Sequence, residues 1–120
     1  MRATIEKKSF LFAVRITKLC RYLQEEKKEY ILSKQLLRSG TGIGANVAEA
    51  QQAQSRADFI SKLNIALKEA VEANYWIRLL QAAEYLTEAE FTSVIADCRE
   101  LERMLTSIIK TTRNSLNKSS

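Results

Sequence analysis

The chain has 120 residues, of which 46% are hydrophobic and 28% charged, and its formal net charge is +5 at pH 7. This hydrophobic fraction excludes a disordered chain, and the length is that of one domain with a single core. Because the sequence has only three glycines and no proline, little interrupts helices, and we expect a single all-α domain spanning residues 1–120.

The first predicted element is a helix over about residues 5–26. Its main apolar stripe has helical spacing: Phe12, Ile16, Leu19 and Leu23. The apolar run from Phe10 to Val14 is stopped by Arg15 and is far too short for a signal peptide or a membrane span. We therefore expect a cytoplasmic protein without membrane contact.

The first helix has a second surface that differs from the main stripe. Apolar side chains lie off the stripe at Phe10, Leu11, Val14 and Tyr22, and five cations share this outer arc: Lys7, Lys8, Arg15, Lys18 and Arg21. A helix that is apolar on two sides usually packs on two surfaces. The arc is therefore predicted either to border a subunit interface or to bind nucleic acid, with an ordinary solvated face as the third interpretation.

The second predicted helix, over about residues 31–52, contains all three glycines. The stretch from Gly40 to Ala45 matches the G-x-G-x-x-G/A dinucleotide fingerprint, but that motif works only between a strand and a helix, and the preceding segment has helical period. Gly40, Gly44 and Ala48 instead lie four residues apart on one face. Because each helical glycine costs about 0.5 to 1 kcal/mol relative to alanine, we predict a close helix contact there, with a kink as the weaker alternative.

The third and fourth helices are predicted over about residues 55–83 and 87–114. Each begins with a capping-box pattern, Ser55 with Asp58 and Thr87 with Glu90. Both carry heptad-like stripes: Phe59, Leu63, Ala66, Ala70, Ala73, Ile77 and Leu80 in the third, and Phe91, Val94, Cys98, Leu101, Leu105, Ile108 and Thr112 in the fourth. Short connections between helices of similar length predict an antiparallel up-down-up-down four-helix bundle with a frayed polar tail.

Polar residues interrupt the predicted interior at Asn46, Glu49 and Glu69. We interpret these three as a buried polar network, in which Arg38, Lys68 or Arg78 would pair with a carboxylate. A metal site is the alternative, but carboxylate di-iron bundles use Glu-x-x-His motifs, and the chain has no histidine. Cys20 and Cys98 are predicted to be buried, reduced thiols. We accordingly expect no catalytic residues, no metal and no cofactor.

The segment 36–80 resembles a family of four-helix bundles encoded in intervening sequences of bacterial large-subunit ribosomal RNA genes. The family pattern of Ile, Pro or Gly, then Asn-Ile/Val-Ala-Glu, a serine and Leu-x-x-Glu is similar to residues here: Ile43, Gly44, Asn46, Val47, Ala48, Glu49, Ser55, Leu67 and Glu69. Ala50 departs from it, since the family usually has glycine there, which would shift the end of the second helix.

The resemblance implies a homo-oligomer, a ring of five bundles, and no catalytic activity. It also implies kinship with the accessory variability protein of diversity-generating retroelements, and so RNA or DNA as ligand and a reverse transcriptase or other nucleic-acid enzyme as partner. The leading functional hypothesis is a non-enzymatic oligomer that binds nucleic acid through its basic surface. A protein-interaction scaffold without nucleic-acid binding is the alternative, and an enzyme of unknown type ranks third.

Overall fold

The computed structural model describes residues 2–119, and the side chains of residues 4–115. Four helices follow in chain order: α1 (Arg2–Glu25), α2 (Leu32–Ala50), α3 (Arg56–Ala82) and α4 (Glu88–Ser119). Residues 2–119 contain no strand, so the all-α prediction is confirmed. The bundle measures 53 × 22 × 20 Å.

The helices pack in an antiparallel square. Helix α1 contacts α2 and α4, and α3 contacts the same two, whereas α1 and α3 lie diagonally opposite. In each neighbouring pair, residue numbers rise along one helix as they fall along the other. The contacts are Gly40 with Ile16 and Gly44 with Ser9 between α2 and α1, and Arg38 with Glu72 and Glu49 with Lys62 between α2 and α3. They are Ala70 with Cys98 and Arg56 with Ser115 between α3 and α4, and Lys8 with Glu100 and Arg15 with Asp97 between α1 and α4. The up-down-up-down four-helix bundle follows from these contacts.

The predicted apolar stripes form the core. All seven residues of the α3 stripe are buried, as are Phe12, Ile16 and Leu23 of α1 and the middle of the α4 stripe from Val94 to Ile108. Among the other stripe residues, Leu19, Phe91 and Thr112 are only partly buried. The apolar stripes of α1, α3 and α4 are therefore sufficient to assign the faces that these helices turn toward the core.

Two predicted capping boxes begin α3 and α4. The Ser55 hydroxyl accepts a hydrogen bond from the amide of Asp58 at 3.0 Å. At the start of α4 the box is reciprocal: the Glu90 amide donates to the Thr87 hydroxyl at 3.1 Å, and the Thr87 amide donates to the Glu90 carboxylate at 2.8 Å. These contacts satisfy amides that the first turn of a helix leaves without partners.

The start of α2 depends on a cap that the sequence analysis missed. The buried Glu29 carboxylate accepts hydrogen bonds from the amides of Ile31, Leu32 and Ser33 at 3.1, 3.0 and 2.7 Å. Lys28 makes the preceding turn with φ of 56°, a left-handed conformation that usually calls for glycine. Burial alone would raise the pKa of Glu29, but these amides lower it more, so the net direction is downward.

Helix α4 is longer than predicted. It continues to Ser119, so the predicted end near residue 114 is too early. The segment from Asn114 to Ser119 contains neither glycine nor proline, the two residues that most strongly stop a helix. Helix α2, by contrast, ends at Ala50, two residues before its predicted end.

Candidate nucleic-acid and assembly surfaces

The outer face of α1 is apolar and solvent-exposed. Phe10 is 67% exposed and Leu11 is 53% exposed, and Val14 and Tyr22 are exposed to a lesser degree. A single exposed apolar residue is unremarkable, but four on one face of one helix form a patch of the kind that marks interaction sites. The patch lies where the second apolar surface of the first helix was predicted.

The five predicted cations of α1 divide into two groups. Lys8 donates to the Glu100 carboxylate at 2.9 Å, and Arg15 contacts Asp97 at 2.6 Å and the Ser93 hydroxyl at 2.7 Å. These two side chains tie α1 to α4, so their charges are already compensated. They are positioned to hold the bundle together rather than to bind an external anion.

The other three cations face solvent. Lys7, Lys18 and Arg21 are exposed, and within residues 4–115 none of them forms an ion pair with an acidic side chain. Lys7 precedes the apolar patch along the helix, and Lys18 and Arg21 follow its centre. The outer face of α1 therefore has an apolar middle with uncompensated positive charge at both ends.

The glycines of α2 bring it close to α1. A Cβ atom on Gly44 would lie 3.2 Å from the backbone oxygen of Ser9, and one on Gly40 would lie 2.8 Å from Cγ2 of Ile16. The Ser9 and Ser39 hydroxyls are buried near this contact and donate to carbonyl oxygens within their own helices. Small side chains thus allow the two helices to approach closely.

Ala48 and Gly42 have different surroundings from the other two small residues. Ala48 is exposed and lines, with Phe10, Ala13 and Gly44, a groove of about 450 Å³ between α1 and α2. Gly42 faces α3, and a Cβ there would meet the Glu69 carboxylate at 2.8 Å. The predicted ridge is therefore in contact with α1 at Gly40 and Gly44, but Ala48 lies beside the contact rather than in it.

The predicted buried polar network is wrong for Glu49. Its side chain is 59% exposed and pairs with Lys62 at 3.2 Å, because α2 is rotated so that Val47 and Ala50 take the interior positions. Asn46 is partly buried and donates to the Gly42 carbonyl at 2.8 Å, within its own helix. Within residues 4–115, no hydrogen bond or ion pair connects Asn46 with Glu49.

Glu69 belongs to a separate cluster at the α2–α3 boundary. Arg38 lies 3.7 Å from the Glu69 carboxylate and also contacts Glu72. Trp76 donates its indole N–H to Glu72 at 3.2 Å. The Arg38 partner was among those predicted for a carboxylate, but the cluster is partly exposed, so its net contribution to stability is small.

Both cysteines are buried and reduced. The Cys20 thiol donates to the Ser33 carbonyl at 3.2 Å, and the Cys98 thiol donates to the Ala70 carbonyl at 3.3 Å. Burial, with smaller contributions from nearby carboxylates, raises the pKa of each thiol to about 12. Neither thiol is therefore suited to act as a nucleophile at neutral pH.

The described residues contain no group of three or more acidic, histidine or cysteine side chains arranged to hold a metal ion. No helix within them combines the length and the apolar character that a membrane span requires.

A second exposed apolar face, on α3, was missed by the sequence analysis. Ile65 is 40% exposed, Val71 53% and Tyr75 49%. Tyr75 packs edge-on against Trp76 and lies under the guanidinium of Arg78 at 5.9 Å. The sequence signal was present, since these residues lie off the buried stripe of α3, just as the patch of α1 lies off its own stripe.

Comparison with known proteins identifies the family. The 23S rRNA-intervening sequence protein family matches residues 2–107. A crystal structure of a protein of unknown function, from the S23 ribosomal protein family of Bacteroides thetaiotaomicron, is 55% identical. The match covers 92% of this chain and 99% of that chain with a TM-score of 0.90. No curated protein is similar enough to this chain to count as a match. The chain belongs to the 23S rRNA-intervening sequence protein family.

Proposed function

We propose that this protein is a non-enzymatic homo-oligomer that binds nucleic acid through its basic surface. The observation that carries the proposal is the outer face of α1, where Lys7, Lys18 and Arg21 are exposed around an apolar patch and have no acidic partner within residues 4–115. An apolar centre with a charged rim is the usual composition of a protein interface. The rim charges stay accessible to a ligand when the centre is covered by a second copy.

The two apolar faces favour head-to-tail assembly. Helices α1 and α3 are diagonal in the bundle, so their exposed faces point away from each other. If the α1 face of one copy packs on the α3 face of the next, the contact is heterologous, and a closed rotation gives a ring. We propose five copies, in keeping with the resemblance described above, which would give a mass of 68.5 kDa, five times 13.7 kDa.

Assembly would strengthen a weak electrostatic site. One subunit carries +5, and five would carry +25 in one symmetric field, so that many phosphates are contacted at once. Sequence preference should be slight, because the chain has no base-reading motif. The bound nucleic acid would also provide the meeting point with a partner such as a reverse transcriptase or another nucleic-acid enzyme.

Light scattering tests the assembly. The parent should show a mass near five times that of one chain, and Leu11→Glu should lower it, because a charge buried at an apolar interface is costly. Ala96→Glu is the matched control, since Ala96 is exposed on α4 outside both apolar faces. A monomeric parent, or a Leu11→Glu variant with the parent's mass, would contradict the α1 interface.

A titration with RNA and DNA tests the binding. Lys18→Glu with Arg21→Glu lowers the net charge by four, from +5 to +1, and should weaken binding about tenfold or more through lost phosphate contacts. Lys34→Glu with Arg99→Glu is the control, because both residues are exposed elsewhere and the charge change is the same. A stable oligomer that binds neither RNA nor DNA would instead favour the protein-interaction scaffold, which the apolar faces alone support.

A further inference from the structure

A groove between α3 and α4 lies away from the α1 face and has a basic, polar lining. Its volume is about 300 Å³. Its lining consists of two cations, two amides, one hydroxyl and two aliphatic side chains: Lys110, Arg113, Asn64, Asn114, Thr106, Leu67 and Ile109. The groove is open to solvent along the end of the bundle where α3 begins and α4 ends.

The polar groups of the groove are available to a ligand. Within residues 4–115, the side chains of Lys110, Arg113, Asn64 and Asn114 form no hydrogen bond or ion pair with the protein. Thr106 donates its hydroxyl proton to the Glu102 carbonyl at 2.8 Å, so it is not one of the free donors. Four donor side chains therefore line one groove without a partner among the described residues.

The electrostatics of the groove select for an anion. From residue 103 to the end of the chain there are four Lys or Arg residues and no Asp or Glu. Among the described residues, no carboxylate lines the groove, in contrast to the α1–α4 boundary, where Glu100 and Asp97 compensate Lys8 and Arg15. The groove cations therefore keep their full attraction for an external negative charge.

The donor set fits a phosphate carried by a larger molecule. A guanidinium offers a planar fork to phosphate oxygens and an ammonium adds a point charge. The Asn amides can donate to further oxygens. The aliphatic floor of Leu67 and Ile109 suits the apolar surface of an attached sugar or base rather than a small free ion.

We propose that the α3–α4 groove binds a phosphate group of a nucleic-acid strand. The inference rests on the proposed nucleic-acid function and adds a second contact site to the α1 face. Lys110, Arg113 and Asn114 lie beyond residue 107, where the match to the family ends. The two cations of the groove are therefore assigned from this chain's own residues and not from the family.

The first test is a binding comparison by charge reversal. Lys110→Glu with Arg113→Glu should weaken binding of oligothymidine or oligouridine by about tenfold or more, with oligomer mass and helix content unchanged. Lys27→Glu with Lys34→Glu makes the same change in net charge at the opposite end of the bundle, where both residues are exposed, and should have a much smaller effect. Should the reversal variant unfold, Lys110→Gln with Arg113→Gln gives the comparison with a milder change.

The second test measures chemical-shift changes of the groove side chains by NMR. Oligothymidine or oligouridine should shift the side-chain amide signals of Asn64 and Asn114. The amides of Asn46 and Asn74 are controls, because they are already bonded to the Gly42 carbonyl and the Glu102 carboxylate. Comparing the two polymers shows whether RNA or DNA supplies the phosphate.

The outcomes separate this inference from the proposed function. If the parent binds nucleic acid but the groove amides do not shift and the charge-reversal variant binds like the parent, the groove inference is overturned while the proposed function stands. If the parent binds no nucleic acid, the proposed function fails, and titration with thymidine or uridine monophosphate, which carry a sugar and a base beside the phosphate, then decides whether the groove binds such a group. Shifts of Asn64 and Asn114 would support a phosphate site, and their absence would overturn it.

Discussion

Alanine substitutions at the three glycines of α2 test the close helix packing, and the glycines serve as controls for one another because their surroundings differ. Replacing a helical glycine with alanine gains about 0.5 to 1 kcal/mol in helix propensity. At Gly40 the new Cβ would lie 2.8, 3.0 and 3.2 Å from three atoms of Ile16, a β-branched side chain that is fully buried and stiff about χ1. Overpacking of this kind costs roughly 1 to 3 kcal/mol. Gly40→Ala should therefore lower the free energy of unfolding by about 0.5 to 2 kcal/mol.

Gly44 and Gly42 should respond in opposite directions. At Gly44 the nearest atom is the backbone oxygen of Ser9 at 3.2 Å, which cannot rotate away, so Gly44→Ala should destabilise and Gly44→Leu should destabilise more. At Gly42 the nearest atom is the carboxylate end of Glu69, which is a flexible side chain. Gly42→Ala should therefore be neutral or stabilising by up to about 1 kcal/mol.

Thermal unfolding at matched protein concentration measures these differences. About 1 kcal/mol corresponds to a shift of roughly 4 °C for a domain of this size, so Gly40→Ala should melt roughly 2 to 8 °C below the parent. Matched concentration matters because assembly makes the melting temperature concentration-dependent. If Gly40→Ala and Gly44→Ala both melt at or above the parent, α1 and α2 are not in close contact at these glycines.

Four further predictions concern the local surroundings of individual residues. Glu29→Gln should lower the free energy of unfolding by about 1 to 2 kcal/mol at pH 7, because the charged cap of α2 is lost. Because folding lowers the pKa of Glu29, the stability difference between parent and variant should shrink as pH falls below 4.5. Thermal melts at several acidic pH values measure this, and a difference that stays constant would exclude the charged cap. Cys20 and Cys98, with pKa values raised to about 12, should react with a thiol reagent at pH 8 only after denaturation, and rapid labelling of the native protein would contradict their burial. Glu84→Gly should raise the free energy of unfolding by about 0.5 to 1 kcal/mol, since Glu84 has φ of 69°, a conformation that glycine adopts at lower cost. Chemical denaturation measures this, and an unchanged free energy of unfolding would argue against the left-handed conformation. Glu49→Ala should change the free energy of unfolding by less than about 1 kcal/mol, as expected for an exposed ion pair. A larger loss in the same assay would indicate that Glu49 is part of a buried polar network after all.

Periodicity and local signals made the fold predictable. The α3 stripe repeats at steps of three and four residues, so its buried face follows from helix geometry alone. The capping boxes at Ser55 and Thr87 depend on residues three positions away and could be read locally. The cap at Glu29 was missed because it depends on the left-handed turn at Lys28, which no glycine indicated.

The candidate site was harder to predict because it depends on contacts between distant residues. Lys8 and Arg15 looked like the rest of the basic arc, yet their partners Glu100 and Asp97 lie more than 80 positions away in sequence. Glu49 was misplaced for a similar reason. A small rotation of α2 about its axis decides whether that side chain faces the core or solvent, and packing against the neighbouring helices sets the rotation.

The most direct test of the proposed function is the salt dependence of nucleic-acid binding by the parent oligomer. If each of five subunits contacts at least one phosphate of a single strand, the logarithm of the affinity should fall with the logarithm of salt with a slope of about 3.5 or more. Between about 50 and 200 mM salt, fluorescence anisotropy should then show a loss of affinity of about 100-fold. Absence of binding at the lower salt concentration, or an affinity that does not change between the two, would contradict a nucleic-acid-binding oligomer.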